Sequence, residues 1–308
     1  MASLRRILLA TDLEPKSDRA LERAVHLARR FDAELTALHV VDGTGGPYGC
    51  LPLHHVEAEL QRHILAVPGG AEIRSQAVAV RGDAVEHRVA GYAGLWLPDL
   101  LVVGLHQRDR VADLFLASTV ERIAIADGTP MLIVRDKPLQ PYLRALVPVD
   151  FSERSRPSVD GVRMLMREGS IHLLHVVDLP GMAGRCSSPL DTAPLDTAQV
   201  AHDFRKVLGT PSGEPDQEPA VETILLTGSP GRRIVDLARD GRYDLVALGS
   251  ARRSGVSRAL LGSTASEVIE ALPCDVLIGG TGGVRSPVPA STFGLNGESD
   301  AGEPDGHH

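Results

Sequence analysis

The sequence predicts an α/β fold made of two tandem five-stranded, parallel, doubly wound domains. The first observation behind this is an internal repeat. Arg6-Ile7-Leu8-Leu9-Ala10-Thr11-Asp12 matches Arg144-Ala145-Leu146-Val147-Pro148-Val149-Asp150, and each Asp is followed by a Ser, Ser17 and Ser155. Leu38-His39-Val40-Val41-Asp42 recurs as Leu174-His175-Val176-Val177-Asp178, and Asp99 to Gly104 recurs as Asp244 to Gly249. Met131-Leu132-Ile133-Val134 then corresponds to Val276-Leu277-Ile278-Gly279, with order kept and offsets between 136 and 145. Secondly, short apolar runs alternate with one-sided helical windows, the pattern of a parallel sheet covered on both faces. Thirdly, the chain is 43% hydrophobic but only 3% aromatic, so Val, Leu, Ile and Ala must build its core.

Strands of the first copy fall near residues 7–11, 34–41, 71–80, 99–104 and 130–135. Between the first two, Ala20, Leu21, Ala24, Val25, Leu27 and Ala28 recur at the spacing of one helical face. A later helix is expected to open at Asp83, with Glu86 three residues on as a capping box. Strands of the second copy fall near 144–149, 170–177, 220–226, 244–249 and 274–279. Ser229-Pro230 supplies an N-cap and a proline at the first helical position. Gly43 to Pro52 and Leu179 to Pro194, rich in Gly, Pro and Ser, are surface excursions, either lids or plain loops. The boundaries are thus residues 1–138, 139–280 and a tail, 281–308, too polar and Gly/Pro-rich to bury a core and expected to be disordered.

The 308-residue chain carries a formal charge of −8, of which the tail contributes −3. With one Trp, four Tyr and five Phe it offers neither a phosphate-tracking groove nor many stacking platforms, which argues against nucleic acid as a partner. Cys50, Cys186 and Cys274 are odd in number and widely spaced, giving neither a disulfide framework nor a zinc site. The apolar run after Arg5 and Arg6 stops at Asp12, short of a signal peptide, and no stretch of about 18 apolar residues suggests a membrane span. A cytoplasmic setting is expected.

In an open parallel sheet, ligands bind beyond the carboxyl ends of the strands where strand order reverses. Asp12 and Asp150 end the first strands, and Gly104 and Gly249 end the fourth. From Gly249 the chain runs through Arg252, Arg253, Gly255 and Arg258 to Gly262-Ser263-Thr264, where a helix is expected to begin. A glycine at a helix mouth allows close backbone approach, and the unpaired first-turn N–H groups favour phosphate.

This combination resembles the universal stress protein family twice over, across roughly residues 4–136 and 142–279. The resemblance implies a fold like that of the adenine-nucleotide alpha-hydrolases and, as in ATP-binding members, a loop holding ribose and phosphates. By matching position it puts Pro148, Asp150, Val176, Gly249, Gly262, Ser263 and Thr264 at the nucleotide, with Arg252 and Gly255 in the same loop. It implies ATP or another adenine nucleotide as ligand, with Mg as a companion left open. It also implies an intrachain pseudo-dimer through the two fifth strands, further self-association being open. The first copy offers a weaker set, Asp12, Val40, Gly104, Ser118 and Thr119. There Gln107 and Ala117 replace two signature glycines, and Asp109 and Asp113 oppose anion binding. In the second copy Arg252 replaces one glycine, a cation that either grips a phosphate or plugs the site.

Plainer readings compete. Ser118 with Glu121 and Thr264 with Glu267 fit ordinary capping boxes. Asp12 and Asp150 could simply begin turns. His39 and His175 read as satisfied core residues rather than ligands. His55, Glu59 and His63 share a helical face, but no metalloprotease motif frames them, so a solvated face is the better reading. Neither GxSxG nor GxxxxGK[ST] is present, so no catalytic residue is assigned. The expected function is a nucleotide-binding stress or regulatory protein acting mainly through the second copy. The alternatives are an interaction scaffold with decayed sites and a slow ATPase.

Overall fold

The computed structural model describes residues 3–41, 48–104, 129–152, 155–178, 197–209, 219–249 and 268–280 except 270. In the first repeat these residues form β1 (Arg6–Ala10), α1 (Asp18–Phe31), β2 (Glu34–Val41), α2 (Leu53–Ala66), β3 (Ser75–Arg81), α3 (Val85–Trp96), β4 (Leu100–Gly104) and β5 (Met131–Val134). The second contributes β6 (Arg144–Pro148), α4 (Ser155–Leu165), β7 (Ser170–Val177), α5 (Thr197–Leu208), β8 (Ala220–Thr227), α6 (Pro230–Asp240), β9 (Leu245–Leu248) and β10 (Asp275–Ile278). The strands form one ten-stranded sheet in the order β3-β2-β1-β4-β5-β10-β9-β6-β7-β8. Each half is parallel, and β5 and β10 join the halves antiparallel, with Val276 opposite Ile133 and Ile278 opposite Met131. The expected fifth-strand pairing therefore forms within one chain.

Strand alternation divides the core between two faces. Ile7 and Leu9 pack with Ala24, Val56 and Leu60, while Leu8 and Leu38 pack with Val89 and Ala93 on the opposite face. The second repeat does likewise, with Val147 and Phe204 on one side and Leu146, Ile234 and Ala238 on the other. Helices thus cover both faces, as the continuous apolar strands require.

Two local expectations need correction. The strand expected from residue 71 begins at Ser75, because Gly70–Glu72 forms a 3-10 turn. Gly69 enters that turn at φ 87°, and a β-carbon on Gly70 would lie 1.9 Å from the Ile64 carbonyl oxygen. The helix expected at Asp83 starts at Val85, with Ala84 as N-cap and no side-chain capping bond. Ser229 and Pro230 do open α6, although the Ser229 hydroxyl makes no capping bond.

A buried polar node crosses the seam. Asp275, fully buried at the start of β10, accepts hydrogen bonds from the Arg135 and Asp136 backbone N–H groups at 2.7 and 3.0 Å. Its Oδ2 accepts from the Tyr142 hydroxyl at 2.6 Å and lies 3.4 Å from Arg23 Nε of α1. The Arg23 guanidinium covers the Tyr142 ring at 4.2 Å. Burial and the Asp275 charge raise the Tyr142 pKa well above the ordinary value, so the hydroxyl stays protonated as a donor.

Candidate functional site

Strand order reverses between β1 and β4 in the first repeat and between β6 and β9 in the second. Asp12 and Asp150 follow β1 and β6, which places both at the switch points. The Asp and Ser shared by the repeats are hydrogen-bonded partners. Asp12 Oδ1 accepts from Ser17 Oγ at 2.6 Å and from the Glu14 N–H at 3.0 Å. Asp150 Oδ1 accepts from Ser155 Oγ at 2.8 Å, Ser152 Oγ at 2.6 Å and the Ser152 N–H at 3.0 Å. Both aspartates therefore close turns into their helices.

That local role also tunes the charge. Burial alone would raise the Asp150 pKa, but the Ser152 and Ser155 hydroxyls and the Ser152 N–H outweigh it, and the net shift is downward. Asp150 is thus an ionised, solvent-facing acceptor at the mouth of the second repeat. Donating ligand groups such as sugar hydroxyls match it. Ser152 was missed in the sequence, although Asp-x-Ser is a spacing from which an Asx turn can be read.

The residue after each aspartate departs from ordinary backbone. Leu13 and Phe151 adopt φ 62° and 58°, the left-handed region that side chains disfavour. Gly104 ends β4 beside Ser17 and Ala20, and a β-carbon there would make only ordinary contacts at 3.6 Å, so local packing does not demand glycine. Gly249, Pro148 and Val176 are partly exposed at the second mouth, while Val40 is buried in the first. Arg252, Gly255, Gly262, Ser263, Thr264, Ser118 and Thr119 lie outside the described residues.

His39 is buried and bonded as a core residue, whereas His175 is half-buried at the second mouth. His39 and His175 bond through Nδ1 to the carbonyl oxygens of Thr11 and Val149 at 2.9 and 2.8 Å. Glu59 pairs with His63 at 3.3 Å and with Arg62, and no group of three metal-ligating side chains forms among the described residues. No helix among the described residues is long and apolar enough to cross a membrane.

The model of the universal stress protein family matches residues 3–135 and 141–278, one match per repeat. The chain belongs to the universal stress protein family. Among similar sequences, Universal stress protein E of Escherichia coli K12 is 23% identical over 316 residues, covering 90% of this chain and 94% of its own. Among solved structures, a universal stress protein from Archaeoglobus fulgidus shares the fold at 18% identity and a TM-score of 0.66, covering 92% of this chain and all of its own. A universal stress protein solved in complex with cAMP is 21% identical and covers 44% of this chain and 99% of its own, with a TM-score of 0.35.

Proposed function

We propose that this universal stress protein is a cytoplasmic regulatory protein that binds ATP or a related adenine nucleotide, mainly through its second repeat. The observation that carries the reading is Asp150. It is kept ionised by three hydrogen bonds and presented where strand order reverses. Its carboxylate suits ribose hydroxyls, and Val176 near the end of β7 suits backbone contact with a base. The sequence from Gly249 to Thr264 carries three arginines, Gly262 and the hydroxyls of Ser263 and Thr264, groups suited to phosphates with or without Mg. The first repeat keeps the Asp12 turn but carries Ala117, Asp109 and Asp113 in the corresponding stretch of sequence.

Calorimetry with ATP on the full chain tests this. About one nucleotide should bind per chain. Asp150→Ala or Gly262→Val should abolish binding, and Asp12→Ala should leave it nearly unchanged. Loss on Asp12→Ala alone would place the ligand in the other repeat. Absence of binding in the wild type would favour the scaffold reading, in which Arg252 plugs the loop.

A further inference from the structure

His175 touches both residues that flank Asp150. Its Nδ1 lies 2.8 Å from the Val149 carbonyl oxygen, on the amino-terminal side of the aspartate. A carbonyl only accepts, so Nδ1 carries the proton. On the other side, the imidazole stacks on the Phe151 ring, with centroids 4.2 Å apart and planes inclined by 29°. Phe204 of α5 meets the same phenyl ring edge-on at 4.9 Å. Phe151 holds φ 58°, a conformation that persists only when its surroundings impose it. One side chain of β7 therefore bonds to the backbone before the aspartate and stacks on the side chain after it, whose left-handed φ Leu13 shares in the first repeat.

The first repeat has only half of this arrangement. His39 Nδ1 reaches the Thr11 carbonyl at 2.9 Å, but the residue after Asp12 is Leu13, which offers no ring. The His39 ring instead meets Tyr48 edge-on at 5.5 Å, and Tyr48 lies outside the aspartate turn. The full clamp belongs to the repeat whose sequence keeps Gly262, Ser263 and Thr264.

We propose that His175 is a positioning residue: by gripping Val149 and Phe151 it fixes the Asp150 carboxylate before any ligand arrives. Binding groups work best when neighbouring contacts lock their orientation in advance. The clamp is a property of the ligand-free chain, and only its benefit to nucleotide binding rests on the function proposed above. A histidine that merely filled the core would support the whole sheet and leave the aspartate turn no more affected than the rest.

The test uses the full-length chain. Amide exchange of Ser152, whose N–H donates to Asp150 Oδ1, reads the turn without ligand. His175→Ala should speed that exchange at least tenfold while the amides of β1 and β2 keep their wild-type rates. The carbon-13 titration of the Asp150 carboxyl should move up towards an ordinary aspartate. His175→Asn, which can place a donor near Nδ1, should restore much of both. Phe151→Leu reproduces the residue of the first repeat, should speed Ser152 exchange to a smaller extent, and serves if His175→Ala fails to fold. In calorimetry with ATP, His175→Ala should weaken binding at least tenfold. Unchanged Ser152 exchange in His175→Ala and Phe151→Leu overturns the proposal, as does a uniform loss of protection across the sheet. Faster Ser152 exchange with no ATP bound by the wild type upholds the clamp and removes the nucleotide.

Discussion

Leu132 of β5 and Leu277 of β10 stand directly opposite each other in the antiparallel pair that joins the repeats. The repeat offset of 145 maps Leu132 onto Leu277, Met131 onto Val276 and Ile133 onto Ile278, so the backbone seam is two-fold symmetric about this leucine pair. The side chains around it are not. Arg23 of α1 reaches Asp275, whereas the matching helix α4 carries Gly161, where a β-carbon would come within 2.9 Å of Leu277. A symmetric strand pair thus carries a one-sided polar node.

The node should dominate the stability of the seam. Asp275→Ala removes the acceptor for the Arg135 and Asp136 N–H groups and for the Tyr142 hydroxyl, and strips the buried Arg23 of its counter-ion. Breaking a buried ion pair by removing one partner costs about 3–5 kcal/mol. Urea denaturation should show a loss of that order. Asp275→Asn keeps an acceptor and should lose less, and Arg23→Met with Asp275→Leu should recover part of the loss. A loss within experimental error for Asp275→Ala would show that the node is ornamental.

A side chain covers one backbone N–H on the outer edge of the first repeat. Glu57 of α2 accepts a hydrogen bond from the Ala79 N–H of β3 at 3.1 Å, and Gln61 reaches Ser75 at 3.2 Å. Covering an edge N–H in this way discourages pairing with another chain. Glu57→Ala should cost about 1 kcal/mol and speed amide exchange at Ala79, while Glu57→Gln should be nearly neutral. Unaltered Ala79 exchange in Glu57→Ala would show that the bond does not persist in solution.

The repeated segments made the strands and their order legible. Leu-His-Val-Val appears twice because β2 and β7 hold equivalent places in the two halves, each paired on both sides and next to an edge strand. The Asp and Ser pairs were visible too, and their hydrogen bonds explain the spacing. Asp275 with Arg23 was invisible, since one copy supplies each residue and neither has a polar counterpart at the repeat-equivalent position, Pro130 or Gly161. The early start expected for β3 failed at Gly69 and Gly70, where backbone crowding against Ile64 imposes a turn on a sequence that looks extended. The clamp at His175 depends on a ring from the turn meeting a ring from the next strand, which spacing alone does not reveal.

Asp32, the C-cap of α1, holds φ 52° with its side chain 98% exposed. A left-handed conformation costs a non-glycine residue roughly 1–2 kcal/mol, and glycine is the usual residue in that place. Its neighbour Arg74 bonds to the Asp32 carbonyl, which any substitution keeps, and the exposed ion pair at 3.6 Å contributes little. Asp32→Gly should therefore raise stability by about 0.5–1 kcal/mol after the entropy glycine adds to the unfolded chain. A thermal midpoint at or below that of the wild type would contradict the reading.

Two aspartates in repeat two should impose opposite pH slopes. Hydrogen bonds from Ser152 and Ser155 overcome burial at Asp150 and hold its folded pKa below the ordinary aspartate value of 3.8. Its contribution to stability is present above that value and lost as pH falls through the depressed folded pKa. Asp244 accepts bonds from the Leu143 and Arg144 N–H groups, yet burial prevails and its folded pKa lies above 3.8. Its contribution is complete below that value and lost as pH rises through the raised folded pKa. Each aspartate should be compared with its asparagine variant by urea denaturation across the carboxylate range. On acidification, the stability of the wild type relative to Asp150→Asn should fall, whereas its stability relative to Asp244→Asn should rise. Parallel slopes for the two pairs would show that hydrogen bonding and burial do not divide the aspartates in this way, and a rising slope for Asp150 would remove the basis for treating it as a carboxylate held ionised for a ligand.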